Sequence, residues 1–288
     1  MRVAVLGATG FVGRALVPAL EELGEVVAVS RGGPVEADVT NDADVRRVLD
    51  GVDVVYYLVH SLGAGDFTSL DRQAAEAVSR QAARAGVQQI VFLGGLGDDA
   101  AELSPHLRSR AETARVLAAG DVPLTSLRAA VVVGRGSAGF ETIVALVDRL
   151  PVMVAPKWVS TATQPIALPD VVGYLVGVAR HGAARGETFD VGGPEILTYR
   201  DMIERVARLR GRRPRIVEVP VLSPRLSSYW LHLVTPVRAS VSRPLVEGLR
   251  NPTVARDKRI RELLPRQLIP FDEAAREALR RANPKSVP

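Results

Sequence analysis

Gly7, Gly10 and Gly13 follow a short apolar run at residues 3–6 and lead into an apolar helical pattern. Each glycine meets a physical need of a diphosphate site: a tight turn, close approach of backbone to pyrophosphate, and close packing of helix on strand. The helix start adds unpaired N–H groups and the positive end of its dipole. A glycine turn between strand and helix also occurs without a ligand. Here, however, a second β-branched run at residues 26–30 stands where a dinucleotide fold needs its next strand. That run ends in Ser30 and Arg31, where an NAD-preferring site carries a carboxylate. A guanidinium there can pair with a 2′-phosphate and stack on adenine, which favours NADP(H) over NAD(H); the alternative is a solvated loop arginine. Asp38 is either an acceptor for the adenine amino group or a turn residue. The run at 52–60 finishes in His60, and strand carboxyl ends line the ligand crevice of open α/β sheets, so His60 is expected to face a cofactor.

These residues need a scaffold, and the pattern supplies one. A helix is expected over 14–24, a short third strand ending at 35–39, and helices over 42–49 and 67–85. Strands are expected at 89–93, 124–134 and 188–191, with Ser104 and Pro105 opening a helix between the first two. The repeated strand–helix alternation predicts an α/β fold, a Rossmann-type doubly wound parallel sheet with helices on both faces. Residues 1–193 form the expected dinucleotide-binding domain, with 134–165 contributing to the substrate side. Residues 194–288 form a smaller, mainly helical substrate or lid region. Thr198 caps a helix ending near Gly211, and 272–282 reads as a charged, exposed helix.

Composition closes off other chemistries. The 288 residues hold no cysteine, which excludes disulfides, thiolate metal sites and cysteine nucleophiles. His181 and His232 are isolated, and no spacing forms a metal set. The first strand leaves no room for a signal peptide, and no apolar run is long enough for a bilayer span, so a cytoplasmic protein is expected. The net charge of +5 is almost all arginine interspersed with acidic residues, as in a solvated surface rather than a nucleic-acid face.

Several segments together resemble the short-chain dehydrogenase/reductase superfamily, in its atypical branch of NmrA-like and epimerase-like NAD(P)-binding proteins. They are the glycine loop at 7–13, Asp38 with Val39, residues 127–129 ahead of Val133 and Gly134, residues 165–171, and residues 189–194. The resemblance covers roughly residues 1 to 210. It implies cofactor contacts at Gly7, Thr9, Gly10, Phe11, Val12, Gly13, Arg31, Asp38, Val39, Leu58, Val59, His60, Arg110 and Ala129. An ordinary member uses a serine, a proton-donating tyrosine and a lysine four residues after it. In this chain the serine position falls on Gly94 or Gly95, and the tyrosine and lysine positions fall on His106 and Arg110. That i, i+4 spacing keeps both side chains on one helix face. Arg110 stays protonated and cannot exchange protons, but it can hold ribose hydroxyls. His106 is a candidate proton donor, with a neighbouring arginine pushing its pKa down; the alternative is that both line exposed helix turns.

The remainder is expected to supply a substrate side, with Phe140, Trp158 and Tyr229 as candidate contacts. The aromatic, proline-bracketed stretch 223–236 is either a mobile or membrane-skimming lid or a helix packed on the main domain or a dimer partner. Two functions follow. One is an NADPH-dependent oxidoreductase acting on a small apolar or aromatic acceptor such as a quinone or carbonyl compound. The other is a non-catalytic NADP(H) sensor or assembly protein. The expected partners are a small-molecule substrate or nucleotide only, and a homodimer is left open.

Overall fold

The computed structural model describes residues 1–61, 64, 66–97, 103–219 and 248–280. The chain opens with β1 (Arg2–Leu6), the glycine loop and α1 (Gly13–Leu20). It continues through β2 (Glu25–Ser30), β3 (Val35–Glu36), α2 (Asp42–Val48), β4 (Val54–Tyr57), α3 (Phe67–Arg84), β5 (Gln89–Gly95), α4 (Pro105–Ala118) and β6 (Leu124–Ala129). After these come β7 (Val132–Val133), α5 (Ala138–Arg149), β8 (Val152–Pro156), β9 (Ala162–Thr163), β10 (Ile166–Ala167) and α6 (Leu168–Arg180). β11 (Thr188–Val191), β12 (Leu197–Thr198), α7 (Tyr199–Leu209) and β13 (Arg215–Val219) precede the helices Arg259–Leu263 and Phe271–Arg280. Among the described residues no helix is long and apolar enough to cross a membrane.

Seven strands form one sheet in the order β11-β6-β5-β4-β1-β2-β3, every pair parallel. A parallel sheet is covered on both faces, so its strands are apolar on both sides. Ala4 and Leu6 of β1 point into one core with α2 and α3, while Val3 and Val5 point into the other with α1 and α6. The strand order reverses between β1 and β4, which places a crevice at their carboxyl ends. This is the Rossmann-type architecture expected from the alternation.

Three expectations need correction. The strand at 52–60 ends at Tyr57, which leaves 58–60 as loop over the crevice. The run at 124–134 is broken, because Val132 and Val133 leave the main sheet to pair with Ile166 and Ala167. The last helix is not simply exposed: Phe271, Ala274, Ala275 and Ala278 lie at i, i+3, i+4 and i+7 and are buried against α5 and α7. That third core joins residues 131–159 to 197–209 and 271–279.

Phe271→Ala should therefore lower the unfolding free energy by about 3–5 kcal/mol in urea denaturation. Arg276→Ala, on the exposed face of the same helix, should change it by no more than about 0.5 kcal/mol.

Candidate functional site

The glycine loop takes its shape from close backbone approach. The N–H groups of Gly7 and Ala8 both donate to Val29 O, at 2.9 and 3.0 Å, tying the loop to β2. Gly7 has φ +94°, in the left-handed region that favours glycine. A Cβ on Gly13 would stand 2.3 Å from Gly7 O and 2.7 Å from Ala8 O, both fixed backbone, so only glycine lets α1 begin beneath the loop. No side chain caps α1, and its first turn carries no acidic residue, so its positive end is left for an anion. At the end of β2 the buried Ser30 hydroxyl has no hydrogen-bond partner among the described residues, beside the exposed Arg31. A bare helix start, a cradle without room for a Cβ and an orphaned hydroxyl at the ribose end fit an adenine dinucleotide.

Beyond the loop opens a cleft of about 430 Å³. Of the residues expected at the cofactor, Gly7, Gly10, Phe11, Val12, Gly13, Leu58, His60, His106, Arg110 and Ala129 line it. Thr9 is exposed beside the loop, and Val39 and Val59 pack against the core under α2 and α3. Asp38 is an exposed turn residue whose Oδ1 accepts from the N–H and hydroxyl of Thr40, the bland alternative in the sequence. The aromatic candidates fare differently. Phe140 is a correction: only 1% exposed, it is core between α5 and α7 and has no face for a substrate. Trp158 packs edge-on to Tyr199 at 6.3 Å between ring centroids, and it is Tyr199, which the sequence marked only as a helix start, that lines the cleft. Tyr229 and the stretch 223–236 lie outside the described residues.

The floor of the cleft holds an arrangement the sequence did not reveal. His60 Nδ1 lies 2.8 Å from Asp71 Oδ2, and His60 Nε2 lies 3.0 Å from His106 Nδ1. Asp71, on α3, also accepts from Ser61 N–H at 2.8 Å and from the Ser109 hydroxyl at 3.1 Å. Burial opposes ionisation of Asp71, yet the hydrogen bond from His60, the Ser61 N–H and the charge of Arg110 outweigh it and hold its carboxyl below the usual range. Burial pushes both imidazoles down. It is the main cause for His60, against the opposing hydrogen bond from Asp71. For His106, burial with repulsion from His60 and Arg110 brings the value to about 3. His106 is thus held in its uncharged form, the direction expected of a neighbouring arginine.

Arg110 has a role the sequence did not anticipate. Its Nη1 donates to Val59 O at 2.9 Å and its Nη2 to Leu93 O, and its guanidinium lies 4.5 Å from the centre of the Phe92 ring. It braces the loop that follows β4 against β5. Asp71 carried one legible signal, a lone carboxylate on the stripe it shares with Ala74, Ala75 and Val78 of α3.

Residues 3–145 match the NAD dependent epimerase/dehydratase family. A curated relative, subunit 9 of the mitochondrial NADH dehydrogenase [ubiquinone] 1 alpha subcomplex of Arabidopsis thaliana, is 23% identical over 239 residues. The match takes in 75% of this chain and 60% of the relative's length. Among solved structures, the NADPH-dependent quinone oxidoreductase of Escherichia coli complexed with NADPH superposes with TM-score 0.76 at 18% identity, covering 95% of this chain and 98% of that one. The Citrobacter sp. triphenylmethane reductase complexed with NADP(H) gives 0.74 at 16%, covering 96% and 100%. UDP-glucose 4-epimerase of Thermotoga maritima with UDP-glucose gives 0.74 at 15%, covering 97% and 98%. At these identities the structural likeness is one of fold.

If Arg110 is a brace, Arg110→Met leaves two half-buried carbonyls without their donor and should lower the unfolding free energy by roughly 2 kcal/mol. Urea denaturation without added nucleotide checks this, since a residue that only touched ribose would leave that value unchanged.

Proposed function

Starting from an epimerase/reductase-like NAD(P)-binding protein of the atypical short-chain dehydrogenase/reductase kind, we propose that the chain is an NADPH-dependent oxidoreductase for a small apolar or aromatic acceptor such as a quinone or carbonyl compound. One observation carries the reading: the glycine loop and two imidazoles line the same, otherwise largely apolar cleft at the sheet's switch point. When bound, the dinucleotide supplies a hydride at nicotinamide C4. The glycine loop and the start of α1 hold the diphosphate. Arg31, exposed at the end of β2, would reach the adenosine ribose, where a guanidinium suits a 2′-phosphate. Arg110 keeps the loop after β4 in place against β5 and lends positive charge to the nicotinamide side. Leu58, Leu96, Leu107, Val131 and Tyr199 give the cleft the apolar wall that an aromatic acceptor needs, and they keep water from the reacting atoms.

A second reading, a non-catalytic NADP(H)-binding sensor or assembly protein, is favoured by Gly94, Gly95, His106 and Arg110 standing where a serine, tyrosine and lysine would be. The relative that is a subunit of a larger complex points the same way.

NADPH should bind more tightly than NADH in calorimetric titration, and Arg31→Asp should narrow the gap by about tenfold or reverse it; equal affinities in the parent protein would defeat the NADPH assignment. Steady oxidation of NADPH with at least one member of a quinone and carbonyl panel is expected, and a flat trace throughout selects the sensor.

A further inference from the structure

We propose, building on the oxidoreductase reading, that Asp71, His60 and His106 form a proton relay that ends at His106 Nε2 in the cleft, and that the acceptor it serves is reduced at a carbonyl or quinone oxygen. The geometry fixes the order of the groups. Asp71 Oδ2 takes the His60 Nδ1 proton, so in the uncharged pair His60 Nε2 is a lone pair and His106 Nδ1 must carry the hydrogen between the rings. His106 Nε2 makes no hydrogen bond among the described residues and is the nitrogen left for an occupant of the cleft.

One added proton converts this state into its complement. His60 then donates from both nitrogens, His106 Nδ1 accepts, and His106 Nε2 carries a hydrogen toward the cleft. The charge rests on His60, in contact with the Asp71 carboxylate, rather than on His106. The flanking groups agree with that placement. Arg110 on α4 repels a cation on either ring, Asp71 on α3 attracts one, and Tyr57 on β4 is a neutral buried phenol without a partner among the described residues. Phe67 packs its ring at right angles to that of His60, with centroids 6.3 Å apart.

The step balances as follows. The acceptor carbon gains the hydride and its electron pair from the reduced nicotinamide, and the carbonyl π pair withdraws to oxygen. That oxygen takes the proton from His106 Nε2, while His106 Nδ1 takes the one from His60 Nε2. The pair ends uncharged, with His60 Nδ1–H still donating to Asp71; once the product has left, solvent in the cleft returns a proton to His106 Nε2, and the His106 Nδ1 proton passes back to His60 Nε2. Run backwards, the uncharged pair takes a proton from a hydroxyl. His106 is the catalytic residue; His60 passes the proton, and Asp71 and Ser109 are positioning residues.

The test has two arms. With only four histidines in the chain, long-range ¹⁵N–¹H spectra of the full-length protein can be assigned by single substitutions. Both His60 and His106 should be Nδ1–H tautomers at pH 7, with one shared proton uptake below the ordinary histidine value of about 6.5. Turnover of NADPH with a quinone should rise as pH falls through that uptake. Asp71→Asn removes the charge that stabilises the protonated pair, so the uptake and the activity limb should move down together by about one unit or more. Ser109→Ala leaves the carboxylate a stronger partner for His60 and should move both up by a few tenths of a unit, roughly. His106→Gln should lower the oxygen-acceptor rate about 10²-fold while sparing NADPH affinity. Turnover with ordinary Nε2–H tautomers, or with two independent titrations, overturns the relay and leaves the oxidoreductase reading standing. The expected tautomers with no turnover on any acceptor overturn the oxidoreductase reading, and the relay's catalytic role with it.

Discussion

Val59 lies in the loop that follows β4 and Leu93 near the end of β5, beyond the last residue that β4 pairs, and Arg110 reaches from α4 to donate to the carbonyls of both. A buried backbone acceptor without a donor is costly, and a guanidinium is the side chain whose fork can serve two at once. Its charge lies against the Phe92 ring and within reach of the field of Asp71. Without this brace the loop after β4 would lose its tie to β5, and the Val59 and Leu93 carbonyls would need water or another donor. The loop holding His60, the placement of α4 and the opening at the switch point all follow from it.

Buried carboxylates do the complementary work for backbone donors. Asp71 accepts from Ser61 N–H, Asp190 from the N–H groups of Arg256 and Asp257, and Asp170 from Ile269 N–H. In each case an acid in an ordered element fixes a loop that has no ladder of its own, which satisfies N–H groups that burial would otherwise penalise. Asp190 and Asp170 draw the returning chain back onto the elements around the main sheet, so that Ile260 enters the core beside α6 and Phe271 begins a helix in another core. Raising the Asp170 carboxyl above its usual range is the cost of such burial, and Arg266 and Ile269 N–H only partly offset it.

Local chemistry was legible and long-range adjacency was not. The glycine loop, Ser104 with Pro105, and Thr198 with its capping box declare themselves because turn and cap residues act within a few positions. β7 and β10 escape because two-residue strands have no period to read. The apolar stripe of Phe271, Ala274, Ala275 and Ala278 was present in the sequence, but alanines among charged neighbours carry little hydropathy. Phe140 looked like a substrate contact from its place after a glycine-rich loop; helical spacing with Ile143 and Val147 is what takes it into the core. His60 and His106 were each singled out, yet nothing in the order of residues says that rings 46 positions apart meet edge to edge over Asp71.

The absence of a serine, tyrosine and lysine then has a steric and an electrostatic side. A Cβ on Gly95 would come within 2.9 Å of Leu107 Cδ2, and one on Gly94 within 2.9 Å of the Phe92 ring, so a larger residue at either place presses on the wall that carries Arg110 and His106. A lysine in place of Arg110 offers a point charge rather than a fork and would leave one of the two carbonyls wanting. Arg110 in turn cannot move a proton, and its charge makes a cation on His106 costly. A proton that reaches this cleft through the side chains must therefore be stored one residue further back, where Asp71 compensates it. That is the position His60 holds.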